Sequence, residues 1–183
     1  MSDTALLIID IQNDYFPGGA MELEGAAAAG TKAGAALAAF RAKQLPVIHV
    51  RHLSLRPGAT FFLPGTKGAE IHSSVAPAAG EPVIEKNFPN SFRATDLKQR
   101  LDKAGIKQLV VAGMMTQMCV DSSVRAAADL GYRVTLLADA CATRTQSFGG
   151  ERVPAAQVQT AFLAALNGLF AKVQPTDEYL KGA

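Results

Sequence analysis

The chain has 183 residues, a formal net charge of +2 and 49% hydrophobic residues, which fits one compact domain, residues 1–183, with a substantial core. So small a charge, with no basic block interleaved with aromatics, argues against nucleic acid or an anionic membrane as partner. The two cysteines, Cys119 and Cys141, make no disulfide framework. The opening MSDTALLIIDIQ carries no basic leader or cleavage pattern, and no apolar run reaches membrane-spanning length. The cytoplasm is therefore the expected compartment, and a reducing one suits a working thiol.

In chain order, ALLIIDI at 5–11 reads as a buried strand with Asp10 as its polar exception. NDYFPGG at 13–19 is a loop, and alanine-rich 26–43 a helix with Leu37 and Phe40 on an inner stripe. PVIHV opens a second strand at Pro46. Residues 52–80 lack a sustained period, and a connection of that length is expected to be a lid, a binding loop or an interface. PVIEK at 82–86 is a short strand, followed by NFPNSF. Thr95 starts a helix that carries Leu97 and Leu101 and stops at Gly105. QLVVAG is a strand, 119–130 its following helix, and YRVTLLADA the next strand. Residues 142–154 are polar, and AAQVQTAFLAALNGLFAKV is expected to be helical up to Pro175. The βαβ series predicts a three-layer α/β/α fold around a mainly parallel sheet of five or six strands.

Such sheets gather chemistry beyond the carboxyl ends of their strands. Asp10 ends the first strand, Lys86 the third, and Cys119 lies just past the fourth. A neighbouring ammonium favours thiolate, a carboxylate can take the thiol proton, and N–H groups at a helix start can hold an oxyanion. Each residue also has a plain structural reading, as a turn former, an edge charge or core packing.

The segments LLIIDIQNDYFPGG (6–19), EKNFPNSF (85–92) and LVVAGMMTQMCVDSSVRAAADLGYRVTLLADACA (109–142) resemble the isochorismatase-like cysteine hydrolases, a superfamily that includes nicotinamidases and other small-amide hydrolases. The resemblance runs from about residue 4 to 173. It implies a catalytic triad of Asp10, Lys86 and Cys119, acting through a thioester on a small amide, ureido compound or related C–N bond, with water as second substrate. It also implies a cis peptide at Met114–Met115, oxyanion donors at the Met115 and Cys119 N–H groups, and a homodimer or homotetramer. Tyr15, Phe16, Phe61, Phe62, Phe88, Phe92 and Thr116 are candidate pocket residues. Gln12 is read as a brace for Asp10 or a strand end, Asn13 and Asp14 as turn formers or pocket residues, and Asp139 and Cys141 as structural.

Nicotinamidases of this superfamily carry a metal on an Asp-x-His element and further histidines after the second strand. Here that region reads HVRHLSLRPGATFF, without the element. His49 and His52 stand at i and i+3, on opposite faces of a strand, so no metal and no cofactor is expected. Nicotinamide thereby becomes a doubtful substrate. Two other classes compete: a redox-responsive thiol protein, weakened by the lack of a CxxC pair, and a non-enzymatic oligomeric binding protein using the Phe61–Phe62 loop.

Overall fold

The structure is a computed structural model and describes residues 3–182. Six parallel strands form one sheet in the order β3-β2-β1-β4-β5-β8: β1 (Thr4–Ile9), β2 (Val47–His52), β3 (Val83–Lys86), β4 (Gln108–Met114), β5 (Arg133–Ala142) and β8 (Lys172–Gln174). β1 explains why the strands read as unbroken apolar runs. Leu6 and Ile8 enter one core cluster while Ala5, Leu7 and Ile9 enter the other, so both faces are covered.

Helix α1 (Ala26–Ala42) closes the first face with Ala29, Ala33, Ala36, Leu37 and Phe40. On the second face lie α2 (Leu97–Lys103), α3 (Asp121–Asp129) and Leu166 at the end of α4 (Ala155–Leu166). The three-layer α/β/α architecture with a parallel six-stranded sheet is thus as expected. β4 approaches β1 closely at Gly113, where an added Cβ would stand 2.4 Å from the Ile9 carbonyl oxygen. Glycine at that point lets β4 lie flush against the strand that ends in Asp10.

The carboxyl-terminal third departs from the expectation. The helix predicted to reach residue 173 stops at Leu166: Asn167 turns extended and Gly168 takes φ +92°. Asn167 Oδ1 then accepts from the Val173 N–H at 3.1 Å, and β8 pairs with the open edge of β5. The polar stretch 142–154 contains a two-stranded hairpin, β6 (Gln146–Phe148) and β7 (Glu151–Val153). Its turn is Gly149–Gly150, both at positive φ as tight hairpin turns require. A last helix, α5 (Thr176–Gly182), follows Pro175; Asp139 accepts from both the Thr176 N–H and its hydroxyl at 2.7 Å, which makes that aspartate structural. The helix predicted at 119–130 starts with a wide turn over Thr116–Val120, in which the Val120 N–H reaches the Met115 carbonyl at 3.2 Å, before α3 proper. Among the described residues no helix is long and apolar enough to cross a membrane.

Candidate active site

Three segments bring functional groups to the carboxyl edge of the sheet. Immediately after β1 the backbone of Asp10 turns left-handed, with φ 51°, and its N–H donates to the Val50 carbonyl at 3.0 Å. The side chain is thereby turned into the space beyond the sheet and is completely buried. Lys86 closes β3 and is 1% exposed. The wide turn after β4 carries Cys119, 5% exposed, and the Met114–Met115 peptide just before it is cis. Such i→i+5 turns recur at functional sites.

Lys86 Nζ lies 2.7 Å from Asp10 Oδ2, a buried ion pair. The Asp10 carboxylate accepts from the Lys86 ammonium and is within hydrogen-bond reach of the Cys119 thiol, so the thiol proton has an acceptor beside it. The ammonium also donates to His52 Nδ1 and to the Phe88 carbonyl, each at 3.1 Å. A carboxylate oxygen of Asp10, a ring nitrogen of His52 and Cys119 Sγ all lie within 4.8 Å of one another. This trio has donor atoms that suit a metal ion, but Lys86 Nζ sits within 3.1 Å of two of its members. The position a cation would take already holds an ammonium.

Burial is the main force raising the Cys119 thiol far above its ordinary value; Asp10 adds to it and Lys86 opposes it. Burial presses on Lys86, yet the charge of Asp10 and hydrogen bonds to Asp10 and Cys119 outweigh it and hold the ammonium above its ordinary value. His52 is pushed down to about 4 by burial, with Lys86 and Arg56 acting the same way and Asp10 against. At neutral pH the site therefore holds a carboxylate–ammonium pair, a neutral imidazole and a protonated thiol.

A cavity of about 200 Å³ opens on this group, lined by Cys119, Met115, Met118, Tyr15, Phe61, Phe62, Phe88, His52, Ser54, Arg56, Asn87 and Pro89. A larger hollow of about 710 Å³ lies at the opposite, amino end of the sheet around Pro46, Glu81 and Arg100, with no cysteine in its lining. The long 52–80 connection supplies Ser54, Arg56, Phe61 and Phe62, so it covers the site of its own chain. Asp14 anchors that cover: Oδ2 accepts from the Phe62 N–H at 2.6 Å and Oδ1 from the Ala20 N–H at 3.2 Å. Gln12 clamps the end of β2, accepting from the His52 N–H at 2.8 Å and donating to its carbonyl at 2.9 Å. It braces His52, not Asp10.

Of the candidate pocket residues, Tyr15, Phe61, Phe62 and Phe88 line the cavity, and three others go elsewhere. Phe16 stacks on His72 with ring centroids 3.5 Å apart. Phe92 packs into the second core cluster near Tyr132. The Thr116 hydroxyl donates to Gln159 Oε1 at 2.7 Å and to the Ala142 carbonyl at 3.2 Å, tying the wide turn to α4. The three histidines also part company: His49 is buried on Glu81, His52 meets Lys86, and His72 stacks on Phe16. Both cysteines are free thiols, and Cys141 is buried within β5. Sequence reasoning passed over His52, Ser54, Asn87 and Met118 as pocket residues. None of them gave a sequence signal; His52 enters through the parallel register that pairs it with Lys86.

A thiol, a carboxylate and an ammonium buried together at the mouth of a parallel sheet define a site for hydrolytic chemistry. The isochorismatase domain family model matches residues 4–178. The chain is 49% identical over 178 residues to the uncharacterized isochorismatase family protein YddQ of Bacillus subtilis, covering 97% of this chain and 99% of that one. It is 37% identical over 139 residues to a streptothricin hydrolase of Streptomyces noursei, 76% of this chain and 49% of the relative. The solved structure of a candidate isochorismatase hydrolase from Oleispira antarctica matches with a TM-score of 0.94 at 51% identity, over 98% of this chain and 96% of the other. The protein belongs to the isochorismatase family, and at that level it is a hydrolase, with Cys119, His52 and Asp10 clustered at its candidate site.

Proposed function

We propose that the protein hydrolyses a small amide or related C–N bond through a thioester on Cys119, with Asp10 as the proton carrier and Lys86 as the charge that holds them together. The observation that carries this reading is the Lys86–Asp10 pair at 2.7 Å, buried beside the Cys119 thiol at the floor of a cavity. The resting thiol is protonated, so its proton must leave as the sulfur attacks, and the Asp10 carboxylate beside it is the acceptor at hand. Sγ adds to the carbonyl carbon while the Met115 and Cys119 N–H groups stabilise the oxyanion. Collapse breaks the C–N bond, and Asp10 returns the proton to the departing nitrogen. Water then gives a proton to Asp10 and its oxygen to the thioester carbon, and the released sulfur takes the proton back.

The cavity of about 200 Å³ lies below the range of about 300–1,000 Å³ typical of sites for drug-sized ligands. Its aromatic and methionine walls favour a compact, largely apolar acyl group. A redox-sensor role fits poorly, because sensor cysteines are exposed and acidic, whereas Cys119 is buried with its pKa raised.

Ammonia release from a panel of small amides and ureas, with Cys119→Ala as background, tests the reading. Release that depends on Cys119 is expected. A folded protein with a reactive thiol that stays silent across amides, ureas and substituted amides that release amines would overturn it.

A further inference from the structure

We propose that His52 is a positioning residue for the Lys86 ammonium and, through its outer ring nitrogen, a hydrogen-bond donor to the substrate; the second role rests on the amidase reading above. The argument begins with strand register. β2 and β3 run parallel with His52 opposite Lys86, so the last residue of each strand reaches the same point beyond the sheet. Gln12, fully buried, fixes the His52 main chain from both sides and leaves the ring little freedom to swing away.

An ammonium has three N–H groups and no acceptor capacity. Around Lys86 Nζ stand Asp10 Oδ2 at 2.7 Å, His52 Nδ1 at 3.1 Å and the Phe88 carbonyl at 3.1 Å, with the Cys119 sulfur as a further partner. Nδ1 therefore accepts, and the neutral ring carries its proton on Nε2. Neutrality follows from burial with Lys86 and Arg56 nearby, which outweigh the pull of Asp10. Among the described residues nothing bonds Nε2, although the ring lines the cavity and lies 5.9 Å from the Phe62 ring, centroid to centroid. The imidazole thus has two edges with separate duties. One holds the charge that governs Cys119, and the other offers an N–H to whatever fills the cavity.

The two duties separate by substitution. His52→Asn keeps an acceptor on the γ position, where Nδ1 stands, and loses the outer donor; His52→Leu loses both. With His52→Leu the ammonium loses one of its tethers and spends less time beside the thiol. Alkylation of Cys119 by iodoacetamide should then slow several-fold at a given pH, and kcat should fall by up to about 10²-fold, the scale of a small misplacement in a reacting group. His52→Asn should restore kcat and the alkylation profile while KM stays raised.

Two results overturn the proposal: a folded His52→Leu protein with unchanged alkylation and kcat, or a His52→Asn protein no better than His52→Leu. Should His52→Leu fail to fold, His52→Asn decides, since near-normal kcat with raised KM supports both duties and loss of kcat refutes the positioning one. The alkylation profile needs no substrate. If the unsubstituted protein turns over no amide, the amidase reading and the donor role fall, and alkylation still decides the positioning of Lys86.

Discussion

Replacing Asp10 by Asn separates two properties of Cys119 that usually change together, acidity and catalytic competence. Burial holds the thiol proton most strongly, the Asp10 charge adds to that hold, and Lys86 works against it. Removing the carboxylate leaves the ammonium as the charge beside the sulfur, so the thiol becomes more acidic. The amide that replaces the carboxylate cannot receive the thiol proton or deliver it to a leaving group. Asp10→Asn should therefore speed alkylation at neutral pH, by about tenfold for each pK unit the thiol falls. Turnover should drop by about 10²–10⁴-fold, the usual worth of a positioned acid–base group. Retained turnover with slower alkylation would mean that Asp10 is not the proton carrier. At this scale Asp10 and Lys86 were legible because each ends an apolar run at a strand terminus, and Cys119 because it stands where a strand gives way to a helix. His52 was not, because its significance depends on a neighbour 34 residues away that only strand register supplies.

Among the connecting segments, the cover over the cavity is pinned at Phe62 by a buried carboxylate. Asp14 receives the Phe62 and Ala20 N–H groups, and Gly68 packs so tightly that an added Cβ would stand 2.1 Å from Asp14 Oδ1. Asp14→Ala leaves the buried Phe62 N–H without an acceptor, a cost of about 1–3 kcal/mol. For a chain of this size each kcal/mol lowers Tm by about 2–4 °C. Because Phe61 and Phe62 wall the cavity and have no group that can carry a proton, KM should rise more than kcat falls. Gly68→Ala should act in the same direction by pushing Asp14 aside. Unchanged KM in both folded variants would mean that the aromatic pair does not shape substrate binding. Strands and helices up to residue 142 were legible because period and turn residues agree there. Beyond it, the apolar period of AAQVQTAFLAAL continues past Asn167–Gly168 into a segment that the edge of β5 draws into the sheet. Phe16, Phe92 and Thr116 were misplaced for a related reason. Composition identifies an aromatic or hydroxyl near the motif, but the direction of its side chain is decided by packing partners such as His72, Tyr132 and Gln159.

For the molecule as a whole, the buried titratable groups should give stability a plateau bounded on both sides. His49 and His52 are held below the ordinary 6.5, both chiefly by burial. Below that pH the unfolded chain binds protons the folded one refuses, so stability present above 6.5 is lost as pH falls, through about 4 for His52. Glu81 extends the decline: the Arg41 guanidinium holds it at about 2 against an ordinary 4.5, so its contribution is complete above 4.5 and disappears as pH falls through about 2. Arg41, His49 and the Ala78 N–H all converge on Glu81, so this loss loosens α1, β2 and the approach to β3 together. On the alkaline side the signs reverse. Cys119 is raised above the ordinary 9.0 by burial, so the folded protein keeps a proton that the unfolded chain releases, and stability falls as pH rises beyond 9.0. Lys86, held above 10.5 by Asp10 and Cys119 against the pull of burial, adds a further loss as pH passes 10.5. Thermal unfolding followed from about pH 2 to about pH 11 should show the highest Tm between the histidine and thiol boundaries. His52→Asn should flatten part of the slope between 6.5 and about 4, while Arg41→Met should leave that slope and remove the part below 4.5. A Tm that stays level from pH 6.5 to about 4 would show that neither ring is buried neutral in solution, and would remove the neutral imidazole on which the site's charge balance depends.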